Sequence, residues 1–217
     1  MKTSSIVVCT LAISTFLVAC GPTIWVSPKF NSVKSKHKKV AILPFDVTIS
    51  VPQKKGVTVD AKQIAAEEEK TGFSVQDYAH SYLLQKLSKG KYTVDFQDVD
   101  KTNSLLSKSG VSYATMREKG KDELAKILGV DAVLGGKIKT SKPMSEGGAI
   151  AVAVLFGVGT STNNVTANVT IHNGADGELL WKYDYQTSGS IGSNPESLSK
   201  ALMNNVAAKF PYKATKK

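Results

Sequence analysis

The sequence predicts an α/β fold, with helices flanking a mixed β-sheet in a single domain over residues 39–212. Residues 40–45 form a continuous apolar run, which is typical of a strand buried on both faces. Apolar stripes at helical spacing follow, bounded by capping residues and glycines. Farther along, two alternating segments separated by residues 173–177 indicate a β-hairpin. The predicted order is strand, helices, strand, helices, strand, hairpin, helix.

The first predicted strand is followed by two helices. Pro44 has no amide hydrogen, so strand pairing should stop there. Asp60 has the form of an N-cap for a helix that ends at Gly72. A second helix begins at Ser74, carries an apolar stripe and stops at Gly90.

The middle of the chain predicts a second strand, more helices and a third strand. Alternating apolar residues between 92 and 96 mark the second strand. Asp98 or Asp100 can cap a short helix that Gly110 ends. Residues 113–128 are predicted to be helical with a break at Gly120, and residues 131–139 form the third strand.

The last part of the domain is predicted to be the hairpin and one helix. Residues 165–171 and 179–185 alternate, so the hairpin should have one buried and one solvated face. Asn194 followed by Pro195 is typical of a helix start and opens the last helix.

The N-terminus has the features of a secretory signal. Lys2 supplies a positive charge, residues 6–18 are mostly apolar, and a small residue precedes Cys20. Leu17-Val18-Ala19-Cys20 resembles the lipobox of bacterial lipoproteins, which implies cleavage between Ala19 and Cys20 and acylation of the Cys20 thiol. A plain signal peptide with a chance cysteine and a short transmembrane helix are the alternatives. The segment is short and rich in Ser and Thr for a span, which needs about 20 predominantly apolar residues.

The lipobox resemblance implies a division of the chain and a location. Residues 1–19 are the predicted signal peptide, residues 20–38 a lipidated tether interrupted by prolines, and residues 213–217 a basic tail. Gly21 rather than Asp after the cysteine is similar to the outer-membrane sorting pattern of some bacteria, so we expect the outer membrane, facing the periplasm. Cys9 leaves with the signal peptide and Cys20 is acylated, so no internal disulfide is expected.

The chain is basic, with a net charge of +10, but its charge is mainly lysine. Of 28 basic residues only Arg117 is arginine, whereas recognition of phosphates and base edges favours arginine. Export would also separate the protein from most nucleic acid. We therefore expect a solvated lysine-rich surface and no nucleic-acid partner. Attraction to anionic envelope polymers or lipid headgroups is the alternative.

Residues 144–162 form an apolar insertion between the third strand and the hairpin. Residues 147–159 give 13 consecutive apolar or glycine positions, too few to span a bilayer as a helix. A buried core segment, a subunit interface and a membrane-dipping insertion are all open interpretations. The candidate interaction surface consists of Ile150, Val152, Val154, Leu155 and Phe156.

Residues 39–45, 128–138 and 176–181 resemble, in the same order, the envelope lipoproteins grouped around CsgG, LpoB and the TolB amino-terminal domain. The resemblance implies an α/β envelope domain and a role as an adaptor, because one member activates a peptidoglycan synthase and another assembles an export pore. Two features of the family are missing here. The long Pro-rich tether of LpoB-type activators is absent, and the paired amphipathic hairpins of CsgG-type pores are not evident.

These observations favour a non-enzymatic adaptor or assembly factor that acts through protein contacts, with a membrane anchor on Cys20 and an unidentified envelope partner. An oligomeric component of an outer-membrane secretion channel is the alternative, and a homo-oligomer is a candidate state. An enzyme is the rival class. The sequence has no Gly-x-Ser-x-Gly elbow and no histidines at metal-ligand spacing, and the mature chain has no cysteine nucleophile. His37 is predicted in the tether and His172 at a hairpin end, so no catalytic residue, cofactor or metal is expected.

Overall fold

The computed structural model describes residues 23–50, 60–141, 164–188 and 194–214. In these ranges the chain forms a seven-stranded mixed sheet with helices on both faces, which confirms the predicted α/β class. The strands are β1 (Ile24–Val26), β2 (Lys39–Ile42), β3 (Asp46–Ile49), β4 (Asp95–Phe96), β5 (Ala132–Thr140), β6 (Asn164–Asn173) and β7 (Leu179–Ser188). The helices are α1 (Phe30–Val33), α2 (Ala61–Leu87), α3 (Val99–Lys108), α4 (Tyr113–Met116), α5 (Lys121–Leu128) and α6 (Pro195–Lys209).

The sheet has the strand order β1-β7-β6-β5-β2-β4, and β3 follows β2 along the same edge of β5. β2 is parallel to β4 and β5, whereas β5, β6, β7 and β1 run antiparallel to one another in turn. β2 pairs with residues 132–134 and β3 with residues 137–140. The pairing with β5 is therefore interrupted opposite Gly135 and Gly136, and we call the residues between β2 and β3 the step. Pro44 lies in this step, where the sequence predicts that pairing stops.

Strand β2 requires a helical layer on each side of the sheet. Val40 and Ile42 belong to the larger core, which α2 and α6 cover. Ala41 and Leu43 belong to the smaller core, which α3, α4 and α5 cover. Residues 40–42 have no exposed surface, so the predicted strand buried on both faces is confirmed. One end of the larger core is an aromatic cluster of Tyr92, Phe96, Trp181, Phe210 and Tyr212.

The two helices predicted on either side of Gly72 are one continuous helix, α2. Asp60 is its N-cap, as predicted. Gly72 does not end the helix, because it lies where α2 crosses Phe45 and Tyr113. A Cβ at Gly72 would lie 2.4 Å from the Phe45 carbonyl oxygen and 2.6 Å from a ring carbon of Tyr113. The glycine therefore permits a close approach of backbone and ring and does not act as a helix stop.

Other helix boundaries follow the predicted signals. Asp98 caps α3 and Asn194 caps α6, in which Pro195 is the first residue. Gly110 and Gly129 follow α3 and α5 with positive φ angles of 71° and 64°. Glycine adopts the left-handed conformation after a helix more easily than other residues, which explains why these two helices end at glycines.

The predicted second strand is shorter than expected, because β4 contains only Asp95–Phe96. Tyr92 instead forms an isolated antiparallel bridge with Lys213, and the Ala214 amide donates to the Lys91 carbonyl at 2.9 Å. The start of the predicted basic tail thus pairs with the segment before β4. Buried aromatic residues just before this tail hold the chain end on the larger core.

Residues 23–38 fell within the predicted tether, but they pack on the domain. β1 adds an antiparallel strand to the edge of the sheet beside β7. Phe30 is 3% exposed, and its ring meets that of Tyr212 edge-on at 5.2 Å between centroids. The buried His37 ring lies 2.5 Å from the Tyr212 hydroxyl and 3.1 Å from the Asn173 side-chain oxygen. From residue 23 onward the chain is therefore part of the domain and not a free linker.

Several predictions concern residues outside the described ranges: the signal peptide, the lipidated end of the tether and the apolar insertion at 144–162. Within the ranges that are described, no helix combines the length and hydropathy needed to span a bilayer.

We expect Gly72→Ala to destabilise the fold, although alanine favours helices. In an exposed helix this change would stabilise by about 0.5–1 kcal/mol. Here the added Cβ meets a carbonyl and a ring, so we expect a loss of about 1–3 kcal/mol. Urea unfolding measures the difference. Lys70→Ala, at an exposed position of α2, is the control and should change the free energy of unfolding by less than about 0.5 kcal/mol. A more stable Gly72→Ala protein would contradict the close-approach explanation.

Candidate functional site

The helices that the structure describes cover only part of one face of the sheet. α3, α4 and α5 pack against β2 and the beginning of β5. On the same face, β6 carries the partly exposed Asn168, Thr170 and His172, whereas Val169 and Ile171 point into the larger core. The predicted hairpin with one buried and one solvated face is thus confirmed. It leaves a polar floor beside the helices.

A cleft of about 580 Å³ lies between this floor and the connection from α4 to α5. Its floor includes Gly135 and Gly136, which place no side chain in the cleft. Asp46 is the one acidic residue among the described residues that line it. Five lining side chains are cationic: Arg117, Lys119, Lys121, Lys137 and Lys182. The cleft therefore concentrates positive charge on a concave surface.

Two of these five cations have no acidic partner among the described residues. Lys121 is partly buried and Lys137 is exposed, and no carboxylate of the described residues lies within ion-pair distance of either one. The other three are paired: Arg117 with Asp46 at 3.5 Å, Lys182 with Asp184 at 2.9 Å, and Lys119 with Glu123. The unpaired ammonium groups come from different elements, α5 and β5.

Lys121 is a cation in an unfavourable position. It is the first residue of α5, where the helix dipole disfavours positive charge, and its N-cap Gly120 supplies no side-chain hydrogen bond. Burial lowers the pKa of Lys121; the Asp46 charge opposes this effect, and the Lys137 charge adds to it. Burial, the dipole of α5 and the Lys137 charge each disfavour the Lys121 ammonium group. Charges in such unfavourable surroundings cost stability and are typical of functional positions.

His172 lies beside Lys121. Its Nδ1 is 3.0 Å from the Gly177 carbonyl oxygen, which can only accept, so Nδ1 carries the hydrogen. Burial lowers the pKa of His172, the hydrogen bond to Gly177 opposes this effect, and the Lys121 charge lowers the pKa further. The imidazole therefore favours its neutral form.

Tyr113 forms a wall of the cleft and holds α4 in place. Its hydroxyl donates to the Phe45 carbonyl at 2.8 Å and accepts from the Val47 amide at 2.9 Å. Burial raises the pKa of Tyr113 to about 12. Both hydrogen-bonding roles of the hydroxyl are thus used by the backbone of the step between β2 and β3.

The other two histidines lie outside the cleft. Both ring nitrogens of His37 have hydrogen-bond partners, which the predicted tether position did not suggest. His80, on α2, has a buried Nε2 without a hydrogen-bond partner, and burial lowers the pKa of this ring. In the described part of the chain, no three His, Cys, Asp or Glu side chains are grouped so that they could hold a metal ion.

The edge strand β1 is the second surface feature. Ile24, Trp25 and Val26 are exposed to 38%, 44% and 48%. Thr23 and Ser27 hydrogen-bond to β7 on either side of them. Alternate residues of an antiparallel edge strand direct their backbone groups away from the neighbouring strand, so the amides and carbonyls of Ile24 and Val26 face outward.

The site residues predicted from the sequence all lie outside the described ranges and stay predictions: Ala19 and Cys20 at the lipobox, and Ile150, Val152, Val154, Leu155 and Phe156 in the apolar insertion. The residues of the cleft were not predicted as a site. The lysine excess is the one signal in the sequence, and it predicts a solvated surface, with attraction to anionic envelope polymers or lipid headgroups as the alternative.

No model of a known protein family matches the chain, and no curated protein matches its sequence. Similar solved structures include the PelC dodecamer from Paraburkholderia phytofirmans, at 14% identity over 90% of this chain and 99% of that one, with a TM-score of 0.42. Lipoprotein GNA1162 from Neisseria meningitidis is 18% identical over 79% of this chain and 99% of that one, with a TM-score of 0.41. The LpoB C-terminal domain from Salmonella enterica is 9% identical over 73% and 94%, with a TM-score of 0.32.

Likenesses at this level of identity and TM-score establish neither a family nor a function for this chain. The resemblance to the proteins grouped around CsgG, LpoB and the TolB amino-terminal domain stays a prediction.

We expect acid to destabilise the protein partly through His172. Its pKa in the folded protein lies below the ordinary histidine value of 6.5, which applies to the unfolded chain. Between the folded and the unfolded pKa the unfolded chain binds more protons, so the free energy of unfolding falls as the pH falls. The melting temperature should drop between about pH 7.5 and about pH 5.5, and it should drop less in His172→Gln.

His80→Gln is the matched variant, because burial also lowers the pKa of His80 outside the cleft. Each single variant should flatten the pH dependence, and the double variant should flatten it most. An identical slope for His172→Gln and the parent protein would show that the desolvation of His172 has no thermodynamic effect.

Proposed function

We propose that the chain is a lipid-anchored protein of the bacterial cell envelope, held in the outer membrane through an acylated Cys20 and facing the periplasm. Residues 1–19 are removed as the signal peptide. The protein acts as a non-enzymatic adaptor or assembly factor through contacts with other envelope proteins. The observation that carries this proposal is Leu17-Val18-Ala19-Cys20 directly after an apolar, positively flanked run.

The described domain begins close to the proposed anchor, which limits how far it can move from the membrane. Two residues, Gly21 and Pro22, separate Cys20 from Thr23, so the Cα atoms of Cys20 and Thr23 are three steps apart and lie at most about 11 Å from each other. β1 would therefore lie at the membrane surface. Trp25 suits this position, because tryptophan is enriched at the boundary between lipid and water. The exposed apolar edge next to the anchor supports a membrane-proximal domain.

The same edge offers a surface for protein contacts. The outward-facing backbone groups of Ile24 and Val26 can pair with an added strand, which is a common mode of peptide recognition. The non-enzymatic assignment is supported by the engagement of several proton-transfer groups in structural hydrogen bonds, namely both nitrogens of His37 and the hydroxyl of Tyr113.

Replacement of the proposed lipidated cysteine tests this function. We expect Cys20→Ser to lose metabolic labelling with palmitate and to lose processing by the lipoprotein pathway, because serine offers no thiol for acylation. The parent protein should be labelled and recovered in the outer-membrane fraction. Gel mobility, labelling and membrane fractionation of whole cells measure these effects.

Cys9→Ser is the matched control, because it changes the other cysteine within the predicted signal peptide and should leave labelling and location unchanged. A Cys20→Ser protein that is cleaved and fractionates as the parent does would refute the lipid anchor.

An oligomeric secretion-channel subunit is the second candidate function. It is favoured by the apolar run of residues 147–159, which has glycines at both ends. If this run is an association surface, its deletion should give a smaller assembly with a nearly unchanged melting temperature, because shortening a connection changes loop entropy little. Sedimentation and thermal melts of both proteins measure this. An unchanged mass with a much lower melting temperature would indicate a core segment instead.

A further inference from the structure

We propose that the cleft between the sheet and the connection from α4 to α5 is a binding site for a phosphate-bearing anion, either free or as part of a lipid headgroup. Lys121 and Lys137 are the residues that bind its oxygens. The proposal depends on the geometry of the cleft and not on the acylation of Cys20.

Two lysine side chains without an ion-pair partner among the described residues meet in the cleft. Lys121 and Lys137 reach the cleft from α5 and β5, and neither forms an ion pair with a carboxylate of the described residues. The Asp46 charge favours the Lys121 ammonium from beyond ion-pair distance, but Asp46 is itself paired with Arg117, and the Lys137 charge repels the Lys121 ammonium. Lys121 also lies at the start of a helix, where a cation is disfavoured. Surface lysines can usually avoid one another by bending into solvent, but Lys121 is partly buried. An anion between the two ammonium groups would remove this conflict.

The side chains that line the cleft offer a ligand mainly hydrogen-bond donors. Asn168 uses its side-chain oxygen to accept from the Lys137 amide at 3.1 Å, so its NH₂ group remains. The one lining carboxylate, Asp46, is paired with Arg117. Phosphate carries up to two negative charges and more acceptor oxygens than a carboxylate, so it can satisfy several of these donors at once.

The cleft has the size of a small-ligand site. A volume of about 580 Å³ lies within the range of about 300–1,000 Å³ that is usual for small-ligand sites. The floor is open because Gly135 has no side chain. A Cβ at this position would contact the Leu43 Cβ at 3.6 Å, which is an ordinary van der Waals distance. A methyl group, as in alanine, can therefore be introduced at position 135 to fill part of the cleft floor.

The test uses the full mature chain in detergent and isothermal titration calorimetry. The probes are inorganic pyrophosphate, glycerophosphoglycerol as the acyl-free headgroup of phosphatidylglycerol, and hexaglutamate. We expect at least one phosphate probe to bind, with an affinity that falls as the salt concentration rises. Tighter binding of pyrophosphate would indicate a free phosphate ligand, and tighter binding of glycerophosphoglycerol would indicate a headgroup.

Lys121→Gln and Lys137→Gln should each weaken phosphate binding by about tenfold or more. The melting temperature of Lys121→Gln should be unchanged or higher, because the variant removes a disfavoured charge, so its loss of binding cannot be ascribed to unfolding. Gly135→Ala should also weaken binding, without changing any charge. The control is the double variant Lys101→Gln and Lys200→Gln, which changes two exposed lysines outside the cleft and should bind within about twofold of the parent.

Three results would overturn the proposal. The first is the absence of binding by both phosphate probes, and the second is binding of hexaglutamate at least as tight as that of the better phosphate probe. The third is an equal loss of affinity in the control variant, which would indicate attraction by overall charge rather than a site.

Discussion

The backbone groups next to Pro44 impose the constraint on which the rest of the structure depends. Pro44 lies between β2 and β3, where the chain leaves the ladder with β5 and its polar groups need other partners. The Phe45 amide donates to the Gly72 carbonyl at 3.2 Å, and the Tyr113 hydroxyl bonds both the Phe45 carbonyl and the Val47 amide. A buried unpaired group costs about 1–3 kcal/mol, so these bonds fix α2 and α4 against the sheet.

The position of the cleft follows from the same junction. Tyr113 anchors α4 over the step between β2 and β3, and the chain then enters α5, which ends the covered part of the sheet. Lys121, at the start of α5, consequently lies beside Lys137 and His172. Burial raises the pKa of Tyr113 to about 12, so its hydroxyl keeps the proton that it donates to the Phe45 carbonyl even at alkaline pH.

Much of the fold could be predicted from the sequence, because its signals are local. Apolar alternation, N-caps such as Asp98 and left-handed glycines such as Gly129 act within a few residues of themselves. Gly72 was misinterpreted because a glycine that stops a helix and one that permits close packing look the same locally, and its partners Phe45 and Tyr113 are distant in sequence. The cleft could not be predicted for the same reason. Its lysines come from the start of α5 and the connection before it, from β5 and from β7, and only the strand order together with the packing of α5 on the sheet brings them together.

The register of β1 connects the proposed anchor with the proposed ligand site. Trp25 pairs directly with Lys182 across the antiparallel ladder, so the two side chains lie on the same face of the sheet. Lys182 also lines the cleft. An anchor at Cys20 that brings Trp25 to the membrane surface would therefore turn the same face of the sheet, with its lysines, toward the headgroups. With such an anchor the headgroup phosphates would be the nearest concentrated source of the anion that the cleft is proposed to bind, and the short reach from Cys20 would keep the domain beside them.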